Sequence, residues 1–225
     1  MPENTEEKKR AVVFVDGNNF YHNSKYMFKS VGLKPFDIDF LKLSEALCEY
    51  FGVKHVLTRY YNSIPNIRSG EERYWKHINF LKGLESIPKF LVITRKLQTH
   101  STRELLKERD EIISGLGLCE KCKPVIQLSC KDCIGSEKVH EKGIDVQIAI
   151  DIIEHAIKDK CDCIILFSGD ADFIPALKLA EEYGKKAFSS SVWRGYSFEL
   201  RNNFENFIIG NDFLIEKCLK DKKLK

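Results

Sequence analysis

The sequence predicts an α/β protein: a mostly parallel sheet with helices packed on both faces. Short apolar runs alternate with stretches whose apolar residues recur every three or four positions, the pattern of strand-helix-strand crossovers. Two of the runs end in acidic clusters: Val12-Val13-Phe14-Val15 leads into Asp16-Gly17-Asn18-Asn19, and Ile164-Ile165-Leu166-Phe167 into Ser168-Gly169-Asp170-Ala171-Asp172. Such runs suit buried parallel strands, and ligands of an open α/β sheet sit in the crevice beyond the strands' carboxyl ends. Asp16, Asp170 and Asp172 therefore face one crevice. Carboxylates crowded together repel unless protonated or bridged by cations, which points to a divalent metal and phosphate chemistry.

In chain order, residues 1–10 are polar and predicted to be a disordered tail, and Ala11 to Val15 forms the first strand. Asp39 to Phe51 is a helix with Leu43, Ala46, Leu47 and Tyr50 on one face. Lys54 to Tyr61 is the second strand, Glu71 to Leu84 a helix with Trp75, Ile78, Leu81 and Leu84 on one side, and Phe90 to Thr94 the third strand. Gly143 to Lys158 is a helix whose stripe is Ile148, Ala149, Ile152, Ile153 and Ala156. Asp145 lies on that stripe, where a buried carboxylate costs several kcal/mol unless paired or bound to metal. A first-turn carboxylate favoured by the helix dipole is the simpler account, yet the same turn can point at the strand ends and add a fourth acid to the crevice. Asp151 lies off the stripe and is predicted to be solvated. Cys163 to Phe167, Lys186 to Ser190 and a short Phe207 to Ile209 complete the strands. Pro175 suits the first turn of the helix after the fourth strand, which leaves Asp170 or Asp172 as its N-cap.

The 225 residues suit one domain over 11–215, with a small insertion and a basic tail at 216–225. No apolar stretch approaches the roughly 20 residues of a membrane span, and the polar start lacks a signal peptide's apolar core, so a cytoplasmic protein is expected. A net charge of +3 leaves a nucleic-acid partner open without requiring one. The basic run that includes Arg95, Lys96 and Arg103 is weak support for a nucleic-acid track, since a solvated helix face is the commoner use. Trp193, Arg194 and Tyr196 offer stacking surfaces near the fifth strand, although aromatics there more often belong to a core. A homodimer or another protein partner is left open.

Cys119-Glu120-Lys121-Cys122 and Cys130-Lys131-Asp132-Cys133 form two C-x-x-C knuckles within residues 118–134. Two knuckles supply the four thiolates of a structural zinc site, and a closed set leaves no position for catalysis. A reducing cytosol disfavours disulfides, and an iron-sulfur cluster is the less favoured occupant. Cys48, Cys161, Cys163 and Cys218 lack ligand spacing and are expected to be buried or partly buried thiols.

Val15-Asp16-Gly17-Asn18-Asn19, Lys142-Gly143-Ile144-Asp145-Val146 and Phe167-Ser168-Gly169-Asp170-Ala171-Asp172-Phe173, in that order, resemble the NYN domain of the LabA-like group, within the PIN-like nuclease superfamily. A segment running from Ser197 to Ile208 is similar to the family's closing motif, with Glu205 where an aspartate usually stands. The resemblance implies a PIN-like three-layer α/β/α sandwich and a metal-dependent endoribonuclease site made of Asp16, Asp145, Asp170 and Asp172. Asn19, and less directly Asn18, would orient the first aspartate or a water on the metal, and Ser168 would touch such a water or the phosphate. Hard oxygen ligands suit Mg2+ or Mn2+, which polarise water and neutralise a scissile phosphate. Single-stranded RNA is the expected substrate, because its exposed bases can stack on aromatic side chains. A deoxyribonuclease or phosphatase would use the same cluster. A rival of another class is a nucleic-acid-binding or regulatory scaffold that keeps the acidic pocket without useful turnover.

Overall fold

In the computed structural model, which describes residues 7–29, 31–67, 70–96, 98–99, 102–129, 139–140 and 143–220, six strands form one sheet. They are β1 (Arg10–Asp16), β2 (Lys54–Ile64), β3 (Phe90–Lys96), β6 (Cys163–Phe167), β7 (Lys186–Val192) and β8 (Glu205–Ile209), in the spatial order β3-β2-β1-β6-β7-β8. Every neighbouring pair is parallel. Side chains alternate across a strand, so β1 feeds two cores. Ala11, Val13 and Val15 pack with α1 (Gly17–Lys29), α2 (Phe40–Tyr50), α3 (Glu71–Glu85) and α9 (Asn211–Lys217). Val12 and Phe14 pack with α6 (Ile144–Ile157), α7 (Ile174–Glu182) and α8 (Phe198–Asn203) on the opposite face. Three layers result. Among the described residues no helix is long and apolar enough to cross a membrane.

The strand order positions the site. From β1 the chain moves outward to β2 and β3, and after α6 it returns to β6 beside β1 and moves outward the other way. The gap between β1 and β6 is thus a switch point, the usual ligand crevice of such sheets. Val15 is paired with Phe167, so Asp16 and Ser168 leave the sheet side by side.

Several strands outrun their predicted ends. β2 continues through Asn62, Ser63 and Ile64, β3 to Lys96 and β7 through Ser191 and Val192, while β8 starts at Glu205. A search for apolar runs stops at polar residues, and of these Asn62, Ser63 and Ser191 are buried. Ser190 Oγ donates to the Phe207 carbonyl at 2.7 Å, and Asn206 Nδ2 donates to Ser189 Oγ at 2.7 Å. Trp75 and Tyr50 lie outside the core despite their helical spacing; Tyr50 instead stacks on Phe207 at 3.8 Å between ring centres.

On α6 the buried face carries Ile144, Ile148, Asp151, Ile152, His155 and Ala156. At about 100° per residue, this face is rotated by about 70° from the predicted stripe. That rotation reverses two expectations: Asp145 is exposed and Asp151 is buried. The cause is a polar network. Asp151 accepts hydrogen bonds from Arg59 Nη2 at 2.7 Å and from the Tyr61 hydroxyl at 2.8 Å through one oxygen, and from Gln147 Nε2 at 3.1 Å through the other.

Between β3 and α6 the chain forms α4 (Thr102–Gly115) and α5 (Cys122–Ser129). A short antiparallel pair, β4 (Gln98–Thr99) with β5 (Val139–His140), ties the two ends of this excursion. Cys119 and Cys122 are exposed, with the Cys122 amide donating to the Cys119 carbonyl at 3.0 Å. Cys130 and Cys133 lie outside the described residues. The tail predicted at 216–225 is structured as far as Lys220: Cys218 is buried, Leu219 bridges to Ile38, and the Lys220 amide donates to Asp37. Of the tail predicted at 1–10, residues 1–6 lie outside the described residues and Arg10 already belongs to β1.

Candidate active site

Asp16 closes β1 and stands immediately before α1. Its side chain is 4% exposed and accepts from the Asn19 amide at 2.9 Å, the bond of an N-cap residue. The other carboxylate oxygen accepts from Ser168 Oγ at 3.0 Å, and Ser168 Oγ in turn accepts from the Asp170 amide at 3.2 Å. One serine hydroxyl therefore links the two acidic clusters. Asn19 Oδ1 reinforces the junction by accepting from the Gly169 amide at 3.2 Å and from Asn23 Nδ2 at 3.0 Å. Asn18 clasps the end of β2, donating to Ser63 Oγ at 3.0 Å and accepting from the Ser63 amide at 3.2 Å.

Two glycines permit these approaches. A side-chain carbon on Gly17 would stand 2.5 Å from the Tyr60 hydroxyl, and one on Gly169 would overlap the Gly195 carbonyl. Burial raises the Tyr60 phenol above its ordinary value, a bond from Asn62 opposes that shift, and the neighbouring Asp16 charge adds to it.

Asp170 is the N-cap of the turn Ala171–Phe173, accepting from the Asp172 amide at 2.9 Å, and Pro175 occupies the first turn of α7. Asp172 is exposed, and Asp145 stands exposed in the first turn of α6. Among the described residues no group of three or more His, Cys, Asp or Glu is placed to share an ion. Magnesium needs no such cage, since it keeps several waters and takes one or two carboxylates together with substrate phosphate. Asp16, oriented by two donors, and Asp170 on the next strand end are hard ligands of that kind, so the site fits an ion held by few protein groups.

Trp193 and Arg194 form a turn after β7, on the crevice side of the sheet. Trp193 is 50% exposed rather than part of a core, and the Arg194 guanidinium lies 5.1 Å from the Tyr26 ring centre. Arg95 and Lys96 end β3 and are exposed, Arg95 donating to Gln147 Oε1 at 2.7 Å. The side chain of Arg103 lies outside the described residues.

Sequence reasoning missed Asn62, Ser63 and His77, which sit beside Asn18 around a cavity between α1, β2 and α3. Asn62 and Ser63 are polar residues that read as the end of the strand, and His77 lies on a helix, so no pattern in the sequence marked them.

A solved structure from Vibrio parahaemolyticus, of a protein of unknown function, is 22% identical, covers 93% of this chain and 98% of that one, and superposes with a TM-score of 0.55. That likeness concerns the fold. An uncharacterized protein of Methanocaldococcus jannaschii is 34% identical over 89 residues, which span 39% of this chain and 37% of the relative's length. The family model described as the NYN domain matches residues 10–215, from the first residue of β1 into α9. With that match over the whole sheet and both acidic strand ends, the chain belongs to the NYN domain family, a PIN-like group whose members are generally nucleases.

Proposed function

We propose that this chain is a metal-dependent endoribonuclease of the LabA-like group that hydrolyses single-stranded RNA at the β1/β6 switch point. The observation that carries the reading is the hydrogen-bonded junction of Asp16, Ser168 and Asp170 at adjacent strand ends. Asp16 and Asp170 would hold Mg2+ or Mn2+, with Asp145 and Asp172 completing the acidic set. The bound ion would supply Lewis-acid polarisation of the scissile phosphate and of the attacking water. Ser168 and the Asn19 amide hold the Asp16 carboxylate in one orientation, and Asn18 anchors that helix start to β2. Trp193 and Arg194 lie where a single strand leaving the crevice could stack, while Arg95, Lys96 and Arg103 would follow its phosphates.

The four knuckle cysteines, Cys119, Cys122, Cys130 and Cys133, are proposed to hold a structural zinc that staples the excursion between β3 and α6. A cytoplasmic location is proposed with this reading, on the absence of an apolar leader in the polar start of the sequence.

Fluorescent RNA and DNA oligonucleotides incubated with Mn2+, Mg2+ or chelator test the main reading. RNA cleavage by the wild type that stops with chelator and falls at least about 100-fold in Asp16→Asn is the expected outcome, the scale on which charge-stabilising groups act. Equal traces of cleavage by wild type and an Asp16→Asn, Asp170→Asn double variant would mean contamination and favour the scaffold reading.

A further inference from the structure

The cavity between α1, β2 and α3 has a volume of about 490 Å3, within the range of roughly 300–1,000 Å3 common for small-ligand pockets. Its walls are largely aromatic. Phe40 meets Tyr60 edge-on at 4.8 Å between ring centres, Phe36 meets Phe80 in the same way at 4.9 Å, and Tyr21 tilts against Phe36 at 5.8 Å. Phe36, His22, Arg73 and Lys76 line the cavity and are themselves exposed, so it opens to solvent between α1, the turn Pro35–Asp37 and α3. Phe36, 39% exposed, thus stands at the mouth. The turn that carries it is pinned: Lys220 Nζ donates to the Phe36 carbonyl at 2.7 Å and lies 5.4 Å from the Phe80 ring centre, while the Lys220 amide donates to the Asp37 carbonyl at 3.0 Å. The cavity also reaches Asn18, two residues after Asp16, so it adjoins the crevice at the strand ends. Rings and cations together narrow the ligand. An aliphatic chain would have no use for Arg73 and Lys76, and an inorganic anion none for the rings, whereas a base with its attached phosphate uses both. Lys76 is already paired with Glu72 at 2.6 Å, so the phosphate falls to Arg73, one turn away on the same helix.

We infer that this cavity is a base subsite of the RNA strand: a base neighbouring the scissile phosphate turns out of the strand and stacks at the mouth on Phe36 and Tyr21, its own phosphate facing Arg73. This rests on the nuclease reading above and gives the strand a second anchor. The strand order places the cavity on the β2 side of the switch point and the Trp193–Gly195 turn on the β7 side, so a strand held at both crosses the acidic junction between them. Every base has a π face, so the contact holds the strand without choosing its sequence. What it does choose is form. A base paired in a duplex cannot turn out into the cavity without breaking its pair, so the subsite selects single strands over double ones.

The test follows a fluorescein-labelled single-stranded RNA oligonucleotide by anisotropy as the full chain is added in chelator. Phe36→Leu, at an exposed position, keeps apolar bulk but removes the ring, and is expected to weaken binding at least about fivefold, the low end for deleting one stacking aromatic. Phe36→Tyr should bind as the wild type does. Arg73→Ala should reduce the dependence of log affinity on log salt by roughly 0.7, the share of one phosphate contact on a single strand. A duplex of the same sequence should bind wild type and Phe36→Leu alike. No binding of the single strand by the wild type, undiminished binding by Phe36→Leu, an equal loss on the duplex, or a wild-type salt slope in Arg73→Ala overturns the inference. Adding Mn2+ separates the two claims. RNA cleavage by a chain whose binding ignores Phe36 sinks only the subsite, whereas Phe36-dependent binding by a chain that never cleaves RNA sinks only the nuclease reading.

Discussion

Asp151 carries a buried negative charge, 3% exposed, that Arg59, Tyr61 and Gln147 satisfy together. Removing one member of a buried ion pair strands the other, so Asp151→Ala should cost about 3–5 kcal/mol in a urea unfolding titration. Replacing both partners with apolar residues, as in an Arg59→Met, Asp151→Leu variant, should recover most of that loss. Asp145→Asn should shift stability by less than about 1 kcal/mol, the reach of a first-turn charge on the helix dipole, while lowering RNA cleavage if Asp145 serves the ion. A stability loss at Asp145 as large as that at Asp151 would contradict the observed rotation of α6. The sequence pattern assigns these two aspartates the other way round, because hydrophobicity alone cannot reveal that Asp151 and His155 bury together, with His155 Nδ1 2.7 Å from the Asp151 carbonyl.

At the scale of elements, the turn between β6 and α7 depends on close backbone approach. Gly169→Ala would drive a carbon into the Gly195 carbonyl and disturb the amide that Asn19 accepts. A loss of about 1–3 kcal/mol, the usual cost of overpacking, together with reduced cleavage is the expected result. Full activity at unchanged stability would show that the two turns can separate. The excursion between β3 and α6 makes a different prediction. Burial pushes the Cys48 and Cys218 thiols up to about 12 and Cys161 to about 11, whereas the bond from Cys122 lowers the exposed Cys119 thiol. Iodoacetamide at pH 7.5 should therefore label Cys119 before any of those three, with zinc protecting it if the knuckles bind metal. First labelling at Cys48 would refute that order. The acidic strand ends were legible because a parallel sheet projects whatever follows an apolar run into one crevice. The cavity was not, since Asn62 and Ser63 sit inside a strand where polar residues read as its end.

At the scale of the whole molecule, three of the described histidines carry an acid response. Burial is the first cause lowering His55, His77 and His155 below the ordinary 6.5, with the Lys89 and Arg73 charges adding at the first two. The Asp151 backbone bond opposes the shift at His155, and the Ser63 backbone bond does so at His77. In the unfolded chain these rings take up protons near pH 6.5, while the folded chain resists until lower pH. The unfolded state then binds more protons, so stability rises with pH across that window and falls as pH drops below 6.5. Carboxylates with lowered values act elsewhere. Glu154, held at about 2 by Lys158 and Lys160, together with Asp159 and Asp162, contributes stability that is present above the ordinary carboxylate range and lost below it. Among the described groups with shifted values, these histidines are the ones whose ordinary value lies between pH 7.5 and pH 5. Urea midpoints should decline steadily over that interval, and a folded His155→Leu variant, which keeps an apolar contact for Phe14, should show a shallower decline. Midpoints that hold level to pH 5, or an unchanged slope in His155→Leu, would mean that these rings charge without cost in the folded chain.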